Sequence, residues 1–182
     1  MKKLLFIIAS LIIIGLVVFF VFNKDDGSLS PDVADPKNAP TSVLSQPLTE
    51  TYKNDKYRFS LKHPVDLTAS SFVDENVGGE VVTVADEATG MGMQIVITPF
   101  DEELVVLTPE RIKKDQPELV IRGAQEVILG ARGKGVAFLD AEKDEESHRQ
   151  IWFIASKHLY QITAPFPSDT LVQNMLNTWE FF

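Results

Sequence analysis

The chain has 182 residues, of which 45% are hydrophobic and 24% charged, and its formal net charge is −9. This apolar content is enough to build one hydrophobic core, which argues against a wholly disordered protein. Cysteine is absent, so disulfides, thiolate metal sites, cysteine nucleophiles and a lipid-modified N-terminal cysteine are excluded. The acidic excess repels phosphate backbones, and nucleic acid is therefore not an expected partner.

The first predicted element is a membrane-spanning helix. Residues 4–22 contain no charged side chain, and a helix of this length spans about 28 Å, close to the thickness of a bilayer core. Lys2 and Lys3 precede the run, so the positive-inside bias keeps the N-terminus in the cytoplasm. Residues 1–22 therefore predict an uncleaved single-pass anchor in the cell membrane. It contacts membrane lipid through residues 4–22 and leaves the rest of the chain extracytoplasmic.

A cleavable signal peptide is an alternative interpretation of the same run. Such peptides have a shorter apolar stretch, about 7–15 residues, and small residues before the cleavage point. Here the run ends in Val-Phe-Phe-Val-Phe-Asn, which offers no such point. A helix buried in a soluble core is a second alternative, but the run is hydrophobic all round and terminal. The anchor is the interpretation that these features favour.

Residues 23–51 predict a flexible linker. They include four prolines and four serines but no aromatic residue, so they cannot bury enough apolar surface to offset the entropy of ordering. A coil of this length reaches about 30 Å on average. The segment is interpreted as a spacer between the anchor and a folded domain, residues 52–182.

The folded domain begins with alternating apolar and polar residues, which predict a half-buried strand over residues 57–61 that Pro64 ends. Six more strands are predicted from apolar runs bounded by turn residues, over 81–85, 93–98, 125–129, 135–140, 150–155 and 158–164. The last two form a hairpin around Ser156-Lys157. Residues 151–154 are apolar on both faces, which is typical of a central strand with layers packed on both sides.

Two helices complete the prediction. Thr108, Pro109 and Glu110 supply a cap residue, a first-turn proline and an early acid for a helix that runs to about Gln116. Ser168 is the predicted N-cap of a second helix, whose apolar residues fall on one side at helical spacing: Leu171, Val172, Met175, Leu176 and Trp179. The predicted fold class is α+β, a largely antiparallel sheet covered by helices.

Two segments of this domain resemble the PsbP-like domain family. The opening segment has the family's tyrosine, short polar turn, aromatic-Phe-Ser strand and proline, here Tyr52-x-Asn54-x-x-Tyr57-x-Phe59-Ser60-Leu61-x-x-Pro64. The closing segment is similar in its hairpin, short loop, helix and final aromatic pair, Phe181-Phe182. Family members often have Asp-Trp or Gly-Trp after the proline, where this chain has Asp66-Leu67.

The resemblance covers most of residues 52–182 and implies a sandwich of sheet and helices. It also implies an extracytoplasmic domain tied to a membrane, as is frequent in the family. The namesake is an extrinsic subunit of the photosynthetic oxygen-evolving complex, whereas many bacterial relatives have no photosynthetic role. The matched positions are framework residues, so the resemblance assigns no functional residue to this chain.

The three histidines form no metal-binding pattern, since neither H-x-x-x-H nor H-E-x-x-H occurs. In the predicted hairpin His158 pairs with Ala155, and His148 then lies about 23 Å away along its strand. These two histidines cannot share an ion. His63 lies at a strand end, and each histidine is interpreted as a surface or structural residue.

Two acidic runs and one glycine-rich segment are candidate binding sites. Residues 140–146 offer alternating carboxylates like an EF-hand loop, but that loop requires Gly at position 6 and Glu at position 12, where this chain has Glu145 and Ile151. A solvated loop is the interpretation, with weak cation binding left open, and Asp101-Glu102-Glu103 is a weaker case. Residues 130–135 lack the spacing and the hydroxyl of a phosphate loop and lead into a strand, which predicts a turn.

No catalytic residue, metal site or cofactor is predicted, and there is no G-x-S-x-G motif. Four aromatic residues, Trp152, Phe153, Tyr160 and Trp179, are interpreted as core residues, with a ligand cleft as the alternative. The favoured function is a binding or assembly module whose partner is an envelope protein or a small ligand. The alternative is an envelope-associated hydrolase with an unrecognised site.

Overall fold

The computed structural model describes residues 46–103, 106–143 and 147–182. The predicted anchor, residues 1–22, and residues 23–45 of the predicted linker lie outside the described residues, so both stay predictions. Within the described ranges no helix has the length and apolar content needed to cross a membrane.

The described chain forms strands and two short helices in one folded unit, Pro47–Phe182. The strands are β1 (Glu50–Asn54), β2 (Phe59–His63), β3 (Thr68–Asp74), β4 (Gly79–Ala85), β5 (Gly92–Pro99), β6 (Arg122–Leu129), β7 (Gly133–Leu139), β8 (His148–Ala155), β9 (His158–Pro165) and β10 (Glu180–Phe181). The helices are α1 (Pro109–Asp115) and α2 (Asp169–Leu176), and a single 3₁₀ turn, Phe166–Ser168, precedes α2.

Seven strands form one antiparallel sheet in the order β3-β4-β5-β9-β8-β7-β6. The remaining three form a small sheet in the order β1-β2-β10, also antiparallel. The predicted α+β class with a largely antiparallel sheet is confirmed. The layer packed on the large sheet differs from the expected one, because the small sheet covers part of one face together with α2.

That face is closed by an aromatic cluster between the two sheets. Phe59 of β2 stacks on Trp179 with ring centroids 4.2 Å apart, and Phe153 of β8 stacks on Tyr160 of β9 at 4.7 Å. The two stacks meet edge to face, because the Tyr160 and Trp179 rings are nearly perpendicular at 6.1 Å. Stacked and perpendicular pairs of this kind add to the free energy of area burial.

The opposite face of the large sheet carries α1. Leu107 and Ile112 pack there against Val136, Phe138 and Trp152. Trp152 and Phe153 are neighbours in β8 and therefore point to opposite faces, and both are buried. This confirms the prediction that residues 151–154 form a strand covered on both sides.

The predicted helix starts have different outcomes. Thr108 caps α1 as expected, because its Oγ1 accepts a hydrogen bond from the Arg111 N–H at 3.2 Å, with Pro109 in the first turn. Ser168 is the N-cap residue of α2, as predicted, but its side chain makes no capping hydrogen bond. Ser168 is fully buried in the 3₁₀ turn, and its Oγ instead accepts a hydrogen bond from the Gly92 N–H at 3.1 Å.

The seven predicted strands are all present, with bounds shifted by a few residues at most. The predicted hairpin is confirmed as well: Ala155 pairs with His158, and Ser156 and Lys157 have positive φ values of 50° and 62°. Such a pair of left-handed residues gives a tight turn whose twist matches the two strands. The strands β1, β3 and β10 were not predicted.

The opening motif has a structural explanation centred on Asn54. Its Oδ1 accepts a hydrogen bond from the Tyr57 N–H at 3.0 Å, which closes the β1–β2 turn. Its Nδ2 donates to the Tyr52 hydroxyl at 3.1 Å and to the buried Glu80 carboxylate of β4 at 2.8 Å. The motif therefore joins the small sheet to the large one. Leu67, where the family often has tryptophan, is buried as a core residue.

Candidate functional site

The structure places the three histidines apart from one another. His63 is buried at the end of β2, with its Nδ1 2.9 Å from the Pro64 carbonyl oxygen. His158 packs edge to face against Tyr57 at 5.0 Å. His148 pairs with Pro165, at the end of the β8–β9 hairpin opposite to His158, as the sequence predicted. No group of three or more metal-ligating side chains occurs in the described ranges.

His148 does contact a carboxylate, that of Asp140. The His148 Nδ1 lies 3.4 Å from the Asp140 Oδ2, and the His148 backbone N–H donates to Oδ1 at 2.7 Å. Gln150 donates to Oδ2 at 2.9 Å and accepts a hydrogen bond from the Trp152 Nε1 at 3.0 Å. Burial alone would raise the pKa of Asp140, but the hydrogen bonds from His148 and Gln150 hold it below its usual value. This network stabilises the end of the hairpin.

The remaining predicted segments also have structural roles. Asp140 belongs to the network above, and residues 144–146 of the acidic loop lie outside the described residues. Glu102 receives two hydrogen bonds from Arg111, at 2.7 and 3.0 Å. Residues 130–132 connect β6 to β7, which confirms the predicted turn. Gly135 is required in β7 because a Cβ there would lie 2.0 Å from the Trp152 carbonyl oxygen.

The four aromatic residues are core residues, as predicted. Trp152, Phe153, Tyr160 and Trp179 are each 6% exposed or less. The Tyr160 hydroxyl and the Trp179 Nε1 are buried within the described ranges without a hydrogen-bond partner. Burial raises the pKa of Tyr160 well above its usual value, so its hydroxyl stays protonated.

Two exposed apolar residues lie in a different part of the molecule, the outer strand β3. Phe72 and Val73 are 55% and 67% exposed, and they are adjacent in β3. Because neighbouring residues of a strand point to opposite faces, one apolar side chain stands on each face of the sheet at this edge. Among the described residues, β3 pairs with β4 and with no other strand, so alternate residues direct their backbone N–H and C=O groups away from the sheet.

Both ends of β3 are held in place by buried residues. Before the strand, Leu67 is buried, and its N–H donates to the Pro64 carbonyl oxygen at 3.2 Å. After it, Val77 is buried in a turn closed by the Gly78 N–H and the Asp74 carbonyl oxygen at 3.0 Å. The strand between these two fixed points therefore keeps its extended shape without a second neighbour.

Carboxylates surround β3 at both ends. Asp66 precedes the strand, and Asp86 and Glu87 follow Ala85, which pairs with Thr68. Asp74 and Glu75 lie at the other end. We call β3 together with these five carboxylates the acidic edge. A hydrogen bond from the Thr89 hydroxyl lowers the pKa of Asp86, which keeps that carboxylate charged.

The acidic edge belongs to a stretch of chain without a cationic side chain. Residues 63–110 contain ten Asp and Glu residues and no Lys or Arg. Glu80 and Glu102 of this stretch pair with cations from outside it, Glu80 with Lys56 at 3.1 Å and Glu102 with Arg111. Residues 111–182, by contrast, contain nine Lys and Arg residues against ten Asp and Glu. One half of the sheet is therefore acidic, and the other is nearly balanced.

No protein-family model matches the chain, and no curated protein is significantly similar to it in sequence. One solved structure with a similar fold is the solution structure of cyanobacterial PsbP (CyanoP) from Synechocystis sp. PCC 6803. The TM-score is 0.50 at 7% sequence identity, and the match covers 73% of this chain and 92% of that one. The described unit thus has a PsbP-like fold, in agreement with the resemblance of its opening and closing segments.

Proposed function

We propose that the chain is an extracytoplasmic binding or assembly module, held at the cell membrane by residues 1–22 and spaced from it by residues 23–51. The support for the anchor is the uncharged run 4–22 with two lysines before it. The expected partner is another envelope protein, with a small ligand as the alternative. Nucleic acid is not expected, because the part of the chain after the anchor is strongly acidic.

The observation that carries the binding role is the acidic edge. An outer strand with unpaired backbone groups and exposed Phe72 and Val73 is a surface that soluble proteins normally protect. Here the strand is fixed at both ends by Leu67 and Val77 and is ready to pair. A surface of this kind is expected to be covered by a partner in the cell.

Site-specific photo-crosslinking in intact cells tests this proposal. A photoreactive amino acid at Phe72 is expected to capture one defined envelope protein. The matched control is Ile128 of β6, which is 73% exposed on the opposite edge of the same sheet and is expected to capture none. Capture at neither position, or recovery of the chain in a soluble fraction without membrane, would contradict the proposal.

An envelope-associated hydrolase is the second candidate, and the contact between His148 and Asp140 is the observation that favours it. A histidine oriented by a carboxylate is a common general base. Turnover of a panel of esters and peptides that is abolished by His148→Ala would support the enzyme. In that case the photoreactive residue at position 72 would capture no partner.

A further inference from the structure

The two outer strands of the large sheet differ in their protection against a further strand. β3 pairs with β4 through seven consecutive residues in unbroken register, and it contains no lysine, arginine or proline. β6 has a register shift between Arg122 and Gln125, with Gly123 at φ +61°, and it carries Glu126 in its middle. Bulges and charged side chains are the features that keep edge strands from pairing. Residues 68–73 have neither.

The charge around β3 selects the chemistry of a strand that could pair there. Asp66, Asp86 and Glu87 lie at one end, and Asp74 and Glu75 lie at the other. A segment with lysine or arginine at its ends would meet these carboxylates, whereas an acidic segment would be repelled. Residues 63–110 contain no Lys or Arg, so neither β3 nor its neighbour β4 carries a cationic side chain.

A second copy of this chain is the occupant that the charges disfavour most. If β3 paired with its own copy about Ser71, Asp74 of each copy would lie opposite Thr68 of the other. Glu75 would then approach Asp66 and Asp86 of the other copy at both ends of the paired strands. Paired strands lie about 5 Å apart, which is less than the Debye length of about 8 Å at physiological ionic strength, so salt screens the repulsion between Glu75 and Asp66 only in part.

We infer that the acidic edge binds an extended, basic segment of a partner protein, which adds to the sheet as an antiparallel strand beside β3. The inference rests on the proposed function and names the chemistry of its partner. Backbone hydrogen bonds to alternate residues of β3 supply affinity, and side chains beside Phe72 on one face and Val73 on the other supply selectivity. Basic residues at the segment's ends contact the carboxylates of the acidic edge.

The test uses the full chain in nanodiscs of zwitterionic lipid, which do not attract basic peptides. The probes are the peptide Lys-Lys-Val-Thr-Val-Thr-Val-Lys-Lys, the same peptide with glutamate in place of each lysine, and a lysine peptide with proline at its central valine. Hydrogen–deuterium exchange of the amides in residues 68–74 and fluorescence anisotropy of labelled peptide are measured. The lysine peptide is expected to slow exchange in β3 by about tenfold or more, while β6 is unaffected.

Charge reversal then tests the selectivity. The double variant Glu75→Lys and Glu87→Lys changes two exposed residues of the acidic edge and is expected to lose about tenfold or more in affinity for the lysine peptide and to gain affinity for the glutamate peptide. The matched control is Glu118→Lys with Glu126→Lys, two exposed residues away from β3 with the same change in net charge. This control is expected to change the affinity by less than about threefold.

The outcomes separate the inference from the proposed function. Equal binding of the lysine and glutamate peptides, or equal loss in both double variants, would overturn the basic partner but leave the binding role intact. Protection of β3 that depends on protein concentration without any peptide would show a second copy there and would also overturn it. If no peptide protects β3 while a residue at position 72 still captures a partner in cells, the inference fails and the proposed function stands.

Discussion

The two outer strands of the large sheet, β3 and β6, differ in the regularity of their pairing and in the charge around them. β6 is interrupted by a bulge and lies in a region with charges of both signs. β3 is regular over its whole length, carries exposed apolar residues and lies in a region without Lys or Arg. Both strands carry exposed apolar side chains, so exposure alone does not distinguish the two edges, whereas regular pairing and one-sided charge do.

The largest expected effect tests whether β4 and β7, the neighbours of the two outer strands, are equally intolerant of an added methyl group. A Cβ at Gly79 of β4 would lie 2.1 Å from the Ile97 carbonyl oxygen, and one at Gly135 of β7 would lie 2.0 Å from that of Trp152. Gly79→Ala and Gly135→Ala are each expected to lower the free energy of unfolding by about 3 kcal/mol or more. Urea denaturation measures this, with Gly90→Ala as the control, which is expected to lose only about 1 kcal/mol because Gly90 has φ +69° but open space around its Cβ position. A small loss at Gly79 alone would mean that the β3 side of the sheet can shift.

The next effect concerns the carboxylate that ties β4 to the small sheet. Glu80 accepts hydrogen bonds from the buried Asn54 and from Lys56, so Glu80→Ala leaves one of the two Nδ2 hydrogens of the Asn54 amide without its acceptor, while the other still has the Tyr52 hydroxyl. The expected loss is about 2 kcal/mol in the free energy of unfolding. Glu126→Ala on the exposed β6 is expected to change it by less than about 0.5 kcal/mol. Equal losses of unfolding free energy in the two variants would show that the buried Glu80 contributes no more to stability than the exposed Glu126.

A smaller effect is expected at the bulge of β6. Gly123 has φ +61°, and no atom lies within 4 Å of the position of its Cβ, so Gly123→Ala adds backbone strain without a clash. The expected loss is about 1 kcal/mol. Ser71→Lys at the exposed middle of β3 is expected to leave the thermal midpoint nearly unchanged, since it adds no strain. A stabilised Gly123→Ala variant would show that the bulge is not built on the left-handed conformation.

The smallest effect is the response to acid. The pKa of Asp140 is lowered in the folded state, so the stability it contributes is fully present above its unfolded pKa of about 3.9 and is lost as the pH falls through the lower folded value. Hydrogen exchange is measured between about pH 5 and pH 2.5 and corrected for the intrinsic exchange rate at each pH, and the resulting protection is expected to fall in residues 147–155 before it does in β3. In Asp140→Asn this acid-dependent step should shrink. An unchanged step would assign it to other carboxylates, such as Asp169 beside Arg149.

The sequence predicts the central part of the fold well because strong local patterns produce it. The apolar run of β8, the Ser156-Lys157 turn and the capped start of α1 all depend on neighbouring residues. Ser168 stands at the predicted N-cap position, but its hydroxyl accepts a hydrogen bond from the Gly92 N–H and makes no capping hydrogen bond. Nothing local to Ser168 indicates that contact.

The candidate site was not predicted because its strand has a weak pattern. The sequence Thr68-Ala-Ser-Ser-Phe-Val-Asp74 has no apolar alternation, since an outer strand with both faces exposed buries little. β1 and β10 were missed for a related reason, because each depends on pairing with β2 more than on its own residues. One signal was available: the absence of Lys and Arg over residues 63–110 can be counted from the sequence, and it marks the acidic half.

The closure of the small sheet by β10 also bears on the order of folding. Phe182 and Arg58 exchange hydrogen bonds across a sequence separation of 124 residues, and Trp179 completes the ring stack on Phe59. Contacts between such distant residues carry a high loop-closure entropy and tend to form late. Weakening them should accelerate unfolding and leave the refolding rate almost constant. The lifetime of the native domain would then be set by the contacts of β10 and Trp179, which lie far along the chain from β3, the strand proposed to bind a partner.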